Sequence, residues 1–382
     1  MRKFRRVIVL CLALVMGLSV AACGAGSEAE PTSGTTVNPT DASTASPTDE
    51  MTQAPTSQAA QSATATQGAT QAPTTAPTTA PVAVEGEGAV LWQVAVKNAL
   101  TMSYVIKTKN NKIIVIDGGG DSNSGTYNGQ KYPKNEINEL MKVLKEATGE
   151  QVPTIDAWIL THVHSDHVNV FSHMINNMPG TVNVGKVYYN FPSDQYLYST
   201  TPSWKPGDET TTLGKFKKAI AKINEDQIVI VEQGKSYTVD NVTFNIILTP
   251  DESITDALFL SNSINESSIV FDMKLGGQRV LFLGDLGPYS GHRFNRALEN
   301  TGSTDVDIVQ LGHHGSQGLP MSYYWKIKPE ACLWPTPDWL WMSTENGWET
   351  KTIYEFLTKK GVKHHYVMKD GTIKLEFPVD LS

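Results

Sequence analysis

The chain has 382 residues, 31 Lys and Arg against 39 Asp and Glu, and a formal net charge of −8 at pH 7. An acidic balance of this kind lacks the electrostatic footprint of a processive nucleic-acid binder, although a local basic patch is compatible with it. Its three cysteines, Cys11, Cys23 and Cys332, are too few and too scattered for a disulfide framework, so the fold must be held by its own apolar core.

The N-terminus reads MRKFRRVIVLCLALVMGLSVAAC. Four basic residues precede an apolar run over residues 7–20, shorter than the ~20 residues needed to span a bilayer and suited to a signal-peptide core. The run ends in VAAC (20–23), which resembles the lipobox of bacterial lipoproteins. The resemblance implies a signal peptide over 1–22, lipidation of Cys23 and anchoring at the extracellular face of a bacterial cell membrane. The alternative is an ordinary secretory signal with an incidental cysteine. Residues 23–87 follow as a Thr/Pro/Ala/Gln-rich stretch without aromatic residues, Lys or Arg. Such a segment cannot bury enough apolar surface to offset chain entropy, so a disordered tether is expected. As a flexible coil it spans ~40–45 Å. Its threonine-rich tracts also suit O-glycosylation.

From residue 88 the composition becomes that of a globular domain, expected to run to 382. AVLWQVAV and TMSYVIKTKNNKIIVIDGGG read as strands with a hairpin turn at 110–111. NEINELMKVLKEATG (135–149) has the apolar spacing of an amphipathic helix. IDAWIL reads as a buried strand running into THVHSDHV (161–168), after which VNVFSHMINNM continues as a helix and KVYYNF as a strand. LGKFKKAIAKIN (213–224) is a second amphipathic helix. IVIVEQG, SYTVD, VTFNIILTP, SIVFDMKL and QRVLFLGD then give a succession of strands, and DVDIVQLGHHGS one more. ETKTIYEFLTKKG reads as a helix, and KHHYVMKDGTIKLEF as a closing hairpin. Strands in two batches, each with helices, point to an α/β fold of two packed sheets with helices outside.

The chemistry concentrates at strand ends. In extended chain alternate side chains share a face, so His162 and His164 project together; Asp166 and His167 follow at a helix start. This gives one pair of ligands for each of two adjacent metal ions. Imidazole with carboxylate suits zinc and tolerates manganese or iron. Asp285 follows the apolar run VLFLG, and His313 and His314 stand at the end of IVQLG.

The pattern His162-x-His164-x-Asp166-His167, with Gly284-Asp285 and Gly312-His313-His314-Gly315-Ser316 later, resembles the metallo-β-lactamase superfamily. The order NESSIVFDMKLGGQRVLFLGD, DIVQLGHHGS, helix and DGTI narrows the resemblance to the branch containing the metallo-hydrolase domain of the ComEC competence protein. It covers essentially residues 88–378 and implies an αββα sandwich, two mixed β-sheets with helices on the outside and the site at one edge. IVIDGGG (114–120) matches an early strand-end motif, which implies that Asp117 braces the metal loop from behind.

The resemblance implies two divalent ions, zinc with manganese or iron as alternatives. His162, His164 and Asp285 would hold one; Asp166, His167, Asp285 and one of His313 and His314 the other. His313 is favoured as ligand because it leaves the strand first; His314 is then a substrate contact or general acid, and the two roles are exchangeable. Asp166 and His314 are the candidate catalytic residues. A water between the ions, deprotonated near neutral pH, would attack the electrophile. Ser316 either donates a hydrogen bond to substrate or caps a turn. One customary histidine is missing: between 168 and 284 the only histidine is His173, about 240° around the helix from His167 at roughly 100° per residue.

Residues 323–348 hold five of the eight tryptophans. They read as core, or as an aromatic wall built from some of Trp334, Trp339, Trp341 and Trp348 that encloses a quaternary ammonium or stacks bases. The expected function is extracellular hydrolysis of phosphodiesters, of nucleic acid or phosphorylcholine type, ahead of β-lactams. The other class is a surface-tethered lipoprotein that binds metal or ligand without turnover. The expected partners are the substrate and, through the lipid anchor, the membrane; no obligate protein partner is evident.

Overall fold

A computed structural model describes residues 83–120, 125–127, 130–132, 135–251 and 264–382. The expected signal peptide, Cys23 and most of the tether lie outside the described residues. The described residues just before 88 already pack on the domain: Gly276 and Gly277 donate to the carbonyls of Gly86 and Glu85, and Gly86 donates to Asn241 O.

The first half comprises strands β1 (Val90–Gln93), β2 (Ser103–Lys107), β3 (Ile113–Asp117), β4 (Gly125–Tyr127) and β5 (Gln130–Tyr132), then helix α1 (Glu136–Thr148) and β6 (Thr154–Ile159). Helix α2 (Ser165–Asn177), β7 (Asn183–Tyr189), α3 (Asp194–Thr200), α4 (Thr212–Ile220) and β8 (Ile228–Ile230) complete it. The second half runs through β9 (Ser236–Val239), β10 (Val242–Leu248), β11 (Val270–Leu275), β12 (Gln278–Phe282), α5 (Gly291–Glu299) and β13 (Ile308–Gln310). It ends with α6 (Met321–Ile327), β14 (Ala331–Trp334), α7 (Thr350–Lys359), β15 (His364–Val367) and β16 (Ile373–Glu376).

Two seven-stranded sheets result, ordered β16-β1-β2-β3-β6-β7-β8 and β15-β14-β13-β12-β11-β10-β9. Period-two alternation divides each central strand between two cores. On β3, Ile114 and Ile116 face the other sheet, while Ile113 and Val115 face the helices. On β12, Val280 and Phe282 face inward, and Leu281 faces the opposite helical layer. Leu140, Phe171 and Phe216 from α1, α2 and α4 cover the first sheet; Phe294, Tyr324 and Leu357 from α5, α6 and α7 cover the second. The αββα sandwich implied by the sequence is thus the observed architecture, because both faces of both sheets are apolar and each needs a covering layer.

The two halves share a plan. Three antiparallel strands (β1-β2-β3; β10-β11-β12) lead into parallel ones (β6-β7-β8; β13-β14-β15). In each sheet the first parallel pair, β3–β6 and β12–β13, marks the change of pairing. Crevices outside the carboxyl ends of strands at such switch points are where α/β folds collect ligands, and the polar motifs stand there.

The expected terminal hairpin does not form. β15 pairs in parallel with β14 in one sheet, whereas β16 pairs antiparallel with β1 in the other. The DG turn carries the chain across the sandwich because each sheet has an open edge beside it. Helices α3, α5 and α6, strand β14 and the small antiparallel pair β4–β5 are additions to the elements legible in sequence.

Candidate metal centre

Asp117 ends β3 in a left-handed conformation (φ 54°), with Trp158 Nε1 donating to its carbonyl at 2.6 Å. Its fully buried carboxylate accepts three hydrogen bonds of 2.7 Å: from Thr161 N, Thr161 Oγ1 and His167 Nδ1. Because the Thr161 hydroxyl donates to Asp117, its oxygen is left to accept from His162 Nδ1 at 3.1 Å. This relay assigns the tautomers: both imidazoles are protonated on Nδ1 and present Nε2 to the site, the usual outer support of a metal-ligating histidine. The Thr161 carbonyl accepts from Ile269 N at 3.0 Å, tying the first sheet's motif to the segment entering β11.

His164 is the N-cap of α2, with extended backbone (φ −86°, ψ 155°), so the chain turns immediately after the His-x-His pair and presents Asp166 and His167 from the first helical turn. His162 Nε2 and His164 Nδ1 are 3.2 Å apart. From the second sheet, Asp285 follows β12 through Gly284 (φ 58°), where an added Cβ would meet Ser268 and Thr161 at 3.1 Å. Ser268 Oγ accepts from Asp285 N at 3.1 Å. Gln310 completes the brace: its amide accepts from Leu283 N (2.8 Å) and donates to Gly284 O (3.0 Å).

Two groups of candidate ligands converge, sharing Asp285. One is His162, His164 and Asp285; the other is Asp166, His167, Asp285 and His314, with their ligand atoms all within 4.8 Å of one another. Within the second, His167 Nε2 is 3.1 Å and His314 Nε2 3.6 Å from Asp285 Oδ2, and His314 Nε2 is 3.1 Å from Asp166 Oδ2.

His314, not His313, occupies the place for which His313 is favoured in the sequence. The strand ends at Gln310, and His313, His314 and Gly315 are all left-handed (φ 50°, 57° and 78°), so strand alternation no longer decides which imidazole turns inward. His314 Nδ1 donates to Pro335 O at 2.9 Å, and Thr336 Oγ1 fixes its carbonyl at 2.6 Å. His313 is half-buried outside both groups, and its Nδ1 has no partner. His173 is also outside both groups. Ser316 is fully buried and its Oγ accepts from Glu349 N at 2.9 Å, so it holds the 343–349 loop.

The electrostatics are those of a cation site. Burial acts to lower the pKa of His167, but Asp285, Asp117 and Asp166 outweigh it and hold the imidazole well above its ordinary value. The same contest, won by Asp285 and Asp166, raises His314. Burial would raise the carboxylates, yet the facing histidines push Asp285 well below the usual range and Asp166 below it too. His162, where burial dominates, is lowered strongly. Protonated histidines thus provide the positive charge between the carboxylates when no ion does. Asp285 Oδ1 is buried without a hydrogen-bond partner, and His167 Nε2, 3.1 Å from Asp285 Oδ2, makes no well-formed hydrogen bond there, an arrangement that is costly unless another species satisfies them. The donor set of imidazoles and carboxylates, with the imidazole tautomers already fixed, fits divalent metal ions.

Of the tryptophans, Trp334 is fully buried and packs edge-on against Trp341 (centroids 5.1 Å), so these two belong to the core. Trp339 and Trp348 form a half-buried pair with centroids 6.0 Å apart. Any aromatic wall is therefore limited to that pair. Thr161, Ser268 and Gln310 are functional supports that sequence reasoning passed over. Gln310, a lone amide inside the apolar strand IVQL, was the available signal.

The family model for the metallo-beta-lactamase superfamily matches residues 98–213, which include Asp117 and the His162–His167 motif. No curated protein matches the chain by sequence. Among solved structures, the chain is similar to the metallo-beta-lactamase fold protein YhfI from Bacillus subtilis (9% identity, 76% of this chain and 100% of that one, TM-score 0.42). It is also similar to CmlA, a diiron beta-hydroxylase from Streptomyces venezuelae (14%, 76% and 54%, 0.46), spanning about half that protein's length. A diphosphatase from the PhnP family shows 13% identity over 76% of this chain and 97% of its own, with TM-score 0.39.

Proposed function

We propose that residues 88–382 form a metal-dependent hydrolase of the metallo-β-lactamase superfamily that acts on phosphodiesters, of nucleic acid or phosphorylcholine type. The observation that carries this reading is the pair of buried His/Asp groups sharing Asp285 at the switch point of both sheets. His162, His164 and Asp285 would hold one divalent ion, and Asp166, His167, Asp285 and His314 the other. A pair of such ions supplies Lewis acidity toward the phosphoryl oxygens and makes a nucleophile available from water near neutral pH.

The chain's own residues do the rest. Asp117 keeps His167 in the ligating tautomer directly and His162 through Thr161; Pro335 O does so for His314. Ser268 and Gln310 fix the turn bearing Asp285, so the ligands need little rearrangement. His313, outside both groups, is left to hydrogen-bond an anionic substrate oxygen. The GHHGS turn, and the lack of a third histidine beside His162 and His164 among the described residues, support a phosphodiester over a β-lactam substrate. The VAAC motif and the tether support lipid anchoring through Cys23 at the extracellular face of the cell membrane.

The test compares bis-p-nitrophenyl phosphate, p-nitrophenyl phosphorylcholine, single-stranded DNA and a cephalosporin after loading with zinc or manganese. Turnover of at least one phosphodiester is expected. Turnover of the cephalosporin alone would overturn the substrate class, and no turnover at all would leave a binding lipoprotein.

A further inference from the structure

Glu266 is a buried carboxylate, 2% exposed, that belongs to neither ligand group. It stands in a 3-10 turn, Asn265–Ser267, that leads into β11. Its carboxylate accepts from Ser290 N at 2.7 Å and from Tyr289 N at 3.3 Å, and Ser290 Oγ donates back to its carbonyl at 3.2 Å. Burying a carboxylate is costly unless hydrogen bonds compensate. Here the compensation comes from the backbone of a single loop.

That loop, residues 286–290, leaves Asp285 directly. Gly287, two residues beyond Asp285, lies so close to the carboxylate that a Cβ on it would be 2.0 Å from Glu266 Oε1. Its backbone (φ −89°, ψ 179°) is open to any residue, so this contact, not the conformation, calls for glycine.

The same short segment grips the shared ligand on its other side. Ser268 Oγ accepts from Asp285 N at 3.1 Å. Ile269 N donates at 3.0 Å to the carbonyl of Thr161, the residue that relays Asp117 to His162. Residues 266–269 therefore hold Asp285 from before and after, and join its turn to the first sheet's histidines. Removing the Glu266 contact releases only the second hold: Tyr289 N and Ser290 N lose their acceptor, and the loop leaving Asp285 is free to shift.

We propose that Glu266 is a positioning residue for the metal centre: by clamping residues 287–290 it fixes the direction of the Asp285 carboxylate that both ligand groups share. The inference rests on the proposed two-ion site. Tyr289 and Ser290 also lead into α5, and a role confined to capping that helix would cost stability while leaving metal affinity intact.

The test measures zinc affinity by chelator competition, and stability by urea unfolding of the metal-free full chain. Glu266→Gln turns an NH2 group toward one of the two N–H donors. Gly287→Ala removes no polar group and displaces the carboxylate sterically. Asp272→Asn is the control: Asp272, 6% exposed on β11 and in neither ligand group, accepts from Arg279 Nε at 2.6 Å and Asn245 Nδ2 at 2.9 Å. Glu266→Gln and Gly287→Ala are each expected to lower zinc affinity about tenfold or more, as loss of outer support does. The double variant should lose less than the product of the two, because both break one contact. Asp272→Asn should lose stability and keep its zinc affinity. The inference is overturned if either single variant, folded, binds zinc within threefold of the parent, if the double variant loses the full product, or if Asp272→Asn loses as much zinc affinity as Glu266→Gln. A parent that binds no zinc removes the two-ion site and the inference with it. Absence of phosphodiester turnover, with these affinities as expected, removes the hydrolase reading alone.

Discussion

Replacing Asp117 by asparagine keeps the side-chain shape and removes one acceptor. In the parent, Oδ1 accepts from Thr161 N while Oδ2 accepts from both Thr161 Oγ1 and His167 Nδ1, each at 2.7 Å. An amide offers one oxygen, so its NH2 group must face at least one of those buried donors. Leaving a buried donor unpaired costs about 1–3 kcal/mol, which sets the expected loss in urea unfolding of the metal-free chain. The second consequence is chemical. His167 can relieve the clash by moving its proton to Nε2 and accepting at Nδ1, but Nε2 is the atom turned toward Asp285. Metal binding must then reverse that change, and loss of such outer support lowers affinity about 10–100-fold, or about 1.4–2.7 kcal/mol. Chelator competition with zinc measures it. An Asp117→Asn chain that loses stability yet binds zinc within threefold of the parent would refute the relay.

Other outcomes follow from the same geometry. His314→Ala should lower bound metal and hydrolysis by orders of magnitude, whereas His313→Ala should keep its metal and lose substrate affinity; elemental analysis with steady-state kinetics separates them. Ser316→Ala removes the acceptor of the part-buried Glu349 N–H and should destabilise by about 0.5–1.5 kcal/mol in urea, with metal content unchanged. Zinc affinity should fall as the solution is acidified, because His167 and His314 hold protons above the usual histidine range and must release them to ligate; calorimetry in buffers of different ionisation enthalpy would show the proton release. In the metal-free chain these raised values stabilise the fold fully below about 6.5, the ordinary histidine pKa. That share is lost as pH rises through the folded values, so the chelated chain should weaken toward alkaline pH where the zinc-loaded chain does not.

Most of the ligand cluster was legible because it is local or stands at strand ends. His162 and His164 share a face by strand alternation, and Asp166 and His167 fall in the next helical turn. Asp285 was marked by the apolar run before it. The choice between His313 and His314 was not legible, since it depends on two left-handed residues and on Pro335 O, 21 residues away. The terminal hairpin misled because KHHYV and TIKLEF carry strand patterns on either side of a DG turn; only the open edges of two different sheets decide that they part. Helices α3 and α6 have seven residues each, too few for a period to stand out, and α5 is rich in Gly, His, Arg and Asn. The core role of Trp334 and Trp341 likewise needed the packing of α7, whose Tyr354 lies against both rings.

The central claim is a two-ion site in which Asp285 serves both groups. Elemental analysis of the zinc-loaded full chain and its Asp285→Asn variant, with bis-p-nitrophenyl phosphate hydrolysis measured on the same samples, tests it most directly. Close to two ions per parent chain are expected, with fewer than one and no turnover in the variant. Fewer than one ion in the parent, or a variant that keeps both its metal and its activity, would contradict the account.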